Sequence, residues 1–300
     1  MIELQLEYKQ KVLDALIEQR KNFSGNQASF ARKWGVDETV FSRLVTGKKI
    51  DNLLSPQKWL EIGHQLGVTL NQRKWKLART VVYQTIEEDV LFCKEHSQSM
   101  MFVDECGIGK TFSAKYLSQT LKNCFYVDAS QSKTKNQFIK QLAQVIGIEK
   151  KGKKYEDLKA EIKAWIRAMP NPIIIIDEAG DLEYKAFLDL KEFWNATEYI
   201  CGWYLMGARG FKVKMNRELN NGKVGYDEIF SRFKENYTHV VPSCEQDKTA
   251  FFKALIRSVL ELNMENKENI DAMLAKCFKK DDTGNIGGLR RAESLMILYK

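Results

Sequence analysis

The sequence predicts an α/β core with a parallel five-stranded sheet, preceded by an all-α region, and three observations carry this. From about residue 80, short apolar runs alternate with stretches of helical spacing, the pattern of strand–helix–strand crossovers. The runs are MMFV (100–103), CFYVDA (124–129), PIIIIDE (172–178), GWYLMGA (202–208) and YTHVVP (237–242). One of them leads into a glycine-lysine-threonine loop, and another ends in two carboxylates. Upstream, residues 26–49 carry the spacing of a compact helical pair.

Composition narrows the classes. A chain of 300 residues with 44% hydrophobic content can bury a sizeable core and divides into two or three domains. No apolar run approaches the ~20 residues that a membrane span needs. The first residues, MIELQLEYKQKVLDALIEQR, are charged throughout instead of forming a signal-peptide core. A cytoplasmic protein with no membrane partner is expected. Six cysteines lie far apart, with no C-x-x-C pair and no histidine cluster, which points away from a zinc site or a disulfide framework. Residues 1–80 hold 14 Lys and Arg against 8 Asp and Glu, six of the chain's eight net positive charges. A basic end of this kind suits a polyanion.

The helical pair reads NQASFARKWGVDETVFSRLVTGKK. Two short helices that cross closely need a small residue on the first, a glycine in the turn and apolar residues at helical spacing on the second. Ala31, Gly35, Val36, Phe41 and Leu44 meet those needs in order, and Phe30 and Trp34 extend the core face. The pattern resembles the phage-repressor type of helix-turn-helix, and it leaves Asp37, Glu38, Thr39, Ser42 and Arg43 facing outward. Thr39, Arg43 and Lys48 are the candidate DNA contacts. Acidic Asp37 and Glu38 repel phosphate, whereas Arg43, Lys48 and Lys49 suit phosphate contacts that position without specifying. Weakly specific binding of double-stranded DNA is the expectation. Ser55 and Pro56 read as the start of a further helix, the polar run NQRKWKLART as a linker, and the head as residues 1–75.

The stretch MMFVDECGIGKTFSAKYLS reads as strand, loop and helix. A phosphate-binding loop works through inward backbone amides and a helix N-terminus facing the anion. Gly107, Ile108, Gly109, Lys110, Thr111 and Phe112 are the candidate nucleotide contacts: Lys110 reaches the β- and γ-phosphates, and Thr111 places its hydroxyl on Mg²⁺. Asp104 stands where the loop pattern has its first glycine, and the sequence predicts that its carboxylate points away from the phosphates. In PIIIIDEAGD a buried strand ends in Asp177 and Glu178, and buried carboxylates need a task. Asp177 suits the metal, and Glu178 suits polarising the attacking water. ATP and Mg²⁺ are the cofactors this pairing implies.

The order and spacing of these motifs, together with YLMGARG, IFSRFKENY and GNIGGLRRA, resemble the AAA+ ATPases. Within them the chain resembles the family of phage Mu transposition protein B, target-selecting ATPases that couple a helix-turn-helix head to an AAA+ module. The resemblance implies a P-loop ATPase core over 76–245 with strand order 5-1-4-3-2, and a C-terminal helical lid over 246–300. It makes Arg232 the arginine finger that reaches a neighbouring subunit's γ-phosphate. Arg290, with Arg291 as the alternative, becomes the lid sensor. Ala208 departs from the polar residue this pattern usually offers to orient the lytic water. A homo-oligomeric ring or helical filament on DNA, recruiting a transposase, is implied as well. Its channel would be lined by Lys133, Lys135, Arg209, Lys212 and Lys214. Two other readings stand beside it: a nucleotide-liganded transcriptional regulator, and a helicase-loader-like ATPase.

Overall fold

The computed structural model describes residues 4–23, 25–47, 50–66, 68, 75–150, 152–279 and 288–298. Its N-terminal helices are α1 (Leu6–Lys21), α2 (Gln27–Lys33), α3 (Glu38–Val45) and α4 (Pro56–Leu66). Then come α5 (Val81–His96), β1 (Ser99–Val103), α6 (Lys110–Thr120), β2 (Cys124–Asp128), α7 (Lys135–Ile146) and α8 (Tyr155–Ala168). β3 (Ile173–Asp177), α9 (Tyr184–Ala196), β4 (Gly202–Gly207), α10 (Arg209–Asn220) and α11 (Tyr226–Arg232) complete the central part. The chain ends on α12 (Glu245–Asn263), α13 (Ile270–Phe278) and α14 (Leu289–Leu298).

Side-chain caps explain several helix starts. Asn26 accepts from the Ser29 amide at 2.8 Å, Ser55 from Lys58 at 3.2 Å, and Thr134 shares a reciprocal capping box with Gln137. Asp37 accepts from the amides of Thr39 and Val40. It serves as the cap of α3, a local task that accounts for an acid at the tip of a helix expected to meet phosphate. The helical-pair core is built as the spacing predicts, with Phe30, Ala31, Val36, Phe41 and Leu44 buried together with Trp59 and Val12.

The sheet is parallel and runs β1-β4-β3-β2. Alternate residues face opposite layers. Ile174 and Ile176 join Phe125, Val127, Trp203 and Leu205 under α7 to α11, while Ile173 and Ile175 join Phe102, Tyr204 and Met206 under α5, α6 and α12. All four isoleucines are fully buried, as an inner strand covered on both faces requires.

Five strands were expected and four are found among the described residues. The YTHVVP run reaches the outer side of β1 but makes one parallel bridge, Phe102 to Thr238, through Val103 N to Thr238 O (3.0 Å) and Thr238 N to Met101 O (2.8 Å). The ladder then stops because the Asp104 carboxylate takes the next amides, those of Val240 (2.6 Å) and Val241 (3.0 Å). Pro242 follows and has no amide to offer.

No helix among the described residues is long and apolar enough to cross a membrane. The run expected as a loose linker is, over residues 75–78, tied to the C-terminal helices. Lys76 N donates to Asn263 Oδ1 (2.7 Å), Asn263 Nδ2 returns a bond to Lys76 O (3.2 Å), and Trp75 Nε1 donates to Glu293 (3.1 Å).

Gly202 starts β4 so close to α5 that a Cβ would lie 2.5 Å from the Cys93 carbonyl oxygen, which as backbone cannot yield. We expect Gly202→Ala to lower unfolding free energy by about 1–3 kcal/mol through overpacking. Gly210, with open space around it in α10, is the control. Gly210→Ala should raise it by about 0.5 kcal/mol, both read from urea midpoints.

Candidate functional site

The phosphate loop lies between β1 and α6. Gly107 and Gly109 adopt φ of 74° and 102°, a left-handed conformation that costs an L-residue ~1–2 kcal/mol. A Cβ at Gly107 would meet nothing within 4 Å, so its backbone is open to a ligand. This geometry suits successive amides converging on an anion at the helix N-terminus.

Lys110 is buried, and its ammonium donates to the carbonyls of Asp104 (3.0 Å) and Glu105 (2.5 Å). Burial lowers its pKa from the usual lysine value, while Cys106, Asp104, Glu178 and Asp177 pull it upward. The lysine and the two carboxylates that end β3 therefore share one electrostatic neighbourhood, which brings the two halves of the motif together.

Asp177 is 1% exposed. Its Oδ2 accepts the Tyr126 hydroxyl at 3.0 Å and its Oδ1 the Glu178 amide at 3.0 Å. Burial, and then Asp177, push the Tyr126 hydroxyl pKa up. Glu178 sits at φ 50°, ψ 41°, a conformation that stores about 1–3 kcal/mol in a residue other than glycine. Burial first, and the Asp177 charge second, raise its pKa above the ordinary carboxylate range, with Lys110 opposing.

A cavity of about 260 Å³ is lined by Gly107 to Ser113 and Glu178, with Asp177 outside its lining. Thr111 lies exposed on the first turn of α6 with Phe112 beside it. Trp75 to Ala78, Tyr83, Leu289 and Arg290 line it as well. The residues present fit a nucleoside triphosphate with its metal: an open glycine backbone, a helix N-terminus, a lysine, a hydroxyl and a buried carboxylate. Sequence reasoning missed the contribution of Trp75, Leu77, Thr80 and Tyr83, which lie in or beside the supposed linker, and of Glu293 on α14. The aromatic Trp75 within a basic run was the available signal.

Asp104 does not line the cavity. It is 7% exposed, with Oδ1 accepting the Glu105 amide at 2.8 Å and Oδ2 held by Val240 and Val241. Its carboxylate turns from the phosphate side, as the sequence predicts. Of the two arginines that open α14, Arg290 lines the cavity, whereas Arg291 donates to the Lys279 carbonyl at 2.8 Å.

Arg232 ends α11 away from this chain's own cavity. Its guanidinium stacks 4.9 Å over the Trp194 ring, and its buried Nη1 has no hydrogen-bond partner among the described residues. Glu228, four residues earlier on α11, pairs with Lys191 at 2.8 Å. Ala208 follows β4 directly as the N-cap residue of α10, and its methyl side chain offers no polar group.

The expected DNA contacts are dispersed. Arg43 is exposed on α3, the Thr39 hydroxyl donates to Asp37, and Lys48 and Lys49 lie outside the described residues. Lys133 pairs with Asp181 at 3.1 Å, Lys135 lies 4.8 Å over the Tyr155 ring, and Lys212 lies 5.2 Å over the Tyr237 ring. Lys214 donates to the carbonyls of Gly180 (2.7 Å) and Leu182 (2.6 Å), a structural task behind Glu178. Arg209 is exposed at the N-terminus of α10, where a cation gains nothing from the helix dipole.

The strain at Glu178 has a measurable consequence. Glu178→Gly relieves the left-handed backbone and removes a carboxylate from beside Asp177, so we expect a gain in unfolding free energy of about 1 kcal/mol by urea denaturation.

No curated protein matches this sequence. Among solved structures, similarity extends to a crystal structure of a DNA replication initiation factor, at 14% identity over 77% of this chain and 65% of that one, with a TM-score of 0.45. It also extends to NtrX from Brucella abortus in complex with ATP, at 11% identity over 92% and 65%, with a TM-score of 0.41. This chain spans 65% of the length of each, and at these scores the likeness carries no argument. Residues 93–215 match the family model of an AAA domain. That stretch holds β1 to β4, the phosphate loop and the Asp177–Glu178 pair, and it is an AAA-type P-loop ATPase domain.

Proposed function

We propose that this chain is an ATP-dependent DNA-binding ATPase that assembles on double-stranded DNA and recruits a transposase. The observation that carries the ATPase part is the single cavity that joins the phosphate loop, Glu178 and Arg290. In this reading residues 1–75 form a helix-turn-helix head, 76–245 the ATPase core and 246–300 a C-terminal helical lid. The protein works in the cytoplasm.

Each residue has a task. Lys110 and the loop amides bind the phosphates of ATP, and Arg290 approaches them from the lid. Thr111 and Asp177 would hold Mg²⁺, which would supply charge neutralisation on the phosphates. Glu178 accepts a proton from the attacking water, and its raised pKa suits a base working closer to neutrality than a free glutamate. Arg232, with an orphaned guanidinium nitrogen and no carboxylate partner among the described residues, would serve a neighbouring copy. That makes hydrolysis depend on a homo-oligomeric ring or filament. Arg43 and Arg209 are exposed cations suited to phosphate contact. Lys133, Lys135 and Lys212 would have to leave their present partners to join them. The transposase link is supported by the resemblance to the family of phage Mu transposition protein B.

Ala208 favours a second reading, a regulator that uses nucleotide only as a ligand, because it leaves no polar group to orient water. One assay separates the two: ATP hydrolysis with and without random-sequence duplex DNA, with Glu178→Gln as control. We expect DNA to stimulate turnover, the variant to lose it by about 100-fold or more, and DNA affinity to fall steeply with salt. Tight binding to one operator without turnover contradicts the first reading. The rate should also fall on the acid side at a pH above the ordinary carboxylate range, since protonated Glu178 cannot accept a proton.

A further inference from the structure

We propose that Asp104 and Glu105 are positioning residues that transmit nucleotide binding at the phosphate loop to the C-terminal helices, and so set the place of Arg290. The inference rests on the ATPase reading.

Both residues face two ways. Their main-chain carbonyls accept the Lys110 ammonium, at 3.0 and 2.5 Å. Their carboxylates hold the segment that leads into α12. Asp104 accepts from Val240 and Val241, 136 and 137 residues away, and Glu105 accepts from Lys248 in the first turns of α12 at 2.7 Å. α12 in turn packs Ile256 and Leu260 against Met273, Ala292 and Met296, so α12, α13 and α14 share one core. Arg290 rides on α14.

A second contact closes the circuit. Leu289 N, at the start of α14, donates to the Gly107 carbonyl at 3.1 Å, and a Cβ on Gly288 would stand 3.0 Å from that same oxygen. The loop therefore touches the C-terminal helices at two places, through Gly107 directly and through Asp104 and Glu105 by way of α12.

Phosphate oxygens are stronger acceptors for an ammonium than peptide carbonyls. A nucleotide that draws Lys110 toward its phosphates weakens its bonds to the 104 and 105 carbonyls. The two peptide units are then free to turn, and their carboxylates turn with them. Glycine at 104 would carry no carboxylate and could not relay the movement. The departure from the loop pattern thus adds a mechanical link and takes no phosphate-binding group away. A purely structural Asp104 would affect stability but not the response to nucleotide.

The test compares the full chain with Asp104→Gly, Asp104→Asn, Glu105→Lys and the charge-swapped pair Glu105→Lys with Lys248→Glu. ATP affinity, kcat and KM, and amide hydrogen exchange of Val240, Val241 and α12 are measured, the exchange with and without ATP. In the unaltered chain ATP should change exchange at Val240 and Val241 by about tenfold or more. Asp104→Gly should keep ATP affinity within about tenfold, lose the ATP-dependent change in exchange and lower kcat by about tenfold with KM little altered. Asp104→Asn keeps one oxygen for both amides and should restore part of the response. The swapped pair should recover the kcat that Glu105→Lys loses. Should Asp104→Gly not fold, the asparagine variant and the swapped pair carry the same comparison. An ATP-dependent exchange change that persists in Asp104→Gly, or a swapped pair no better than Glu105→Lys, overturns the proposal. A chain that binds ATP but never turns it over refutes the hydrolysis reading and leaves the exchange comparison decisive for this one.

Discussion

The register of four parallel strands is the constraint on which the site depends. Asp128 lies beside Asp177, Ile176 beside Leu205, and Val103 beside Gly207, so β1, β3 and β4 end along one edge of the sheet. That edge is where the phosphate loop leaves β1 and where the two carboxylates leave β3, the carboxyl-end position at which open parallel sheets place their ligands. The four isoleucines of β3 fix the register, each contributing roughly 2 kcal/mol of burial. A slip by one residue would turn every side chain to the wrong face and carry Asp177 away from Lys110.

The site that results costs stability, and the surrounding packing offsets it. A lysine is buried with two main-chain carbonyls as its acceptors among the described residues, and burial lowers its pKa. A glutamate is held in a left-handed conformation beside another carboxylate, and burial raises its pKa. Neither arrangement serves the fold. A polyanion beside Lys110 and, in the proposed reading, a divalent cation beside Asp177 would each supply the charge these groups lack.

The parts of the fold and site that were legible in the sequence are those set by local chemistry. Continuous β-branched runs gave β3, glycines with a following lysine and threonine gave the phosphate loop, and Ser55-Pro56 gave the start of α4. What escaped depends on distant partners. Nothing in the spelling of YTHVVP shows that a carboxylate 136 residues earlier will take its amides and end the fifth strand at one bridge. Trp75 looked like part of a linker because its partner, Glu293, is 218 residues away. The lysines expected to face DNA found an acid or an aromatic ring, choices that side-chain periodicity does not encode. Arg290 and Arg291 differ by one step around a helix, and only the packing of α14 against the loop separates cavity from surface.

The central claim is that Gly107 to Thr111 form a working phosphate site although Asp104 replaces a glycine. Equilibrium binding of ATP with Mg²⁺ to the full chain and to Lys110→Ala tests it most directly. The account predicts saturable binding that weakens by about 100-fold in the variant, the loss of a charge-assisted contact to phosphate. Equal binding by both proteins, or none by the unaltered chain, would contradict it.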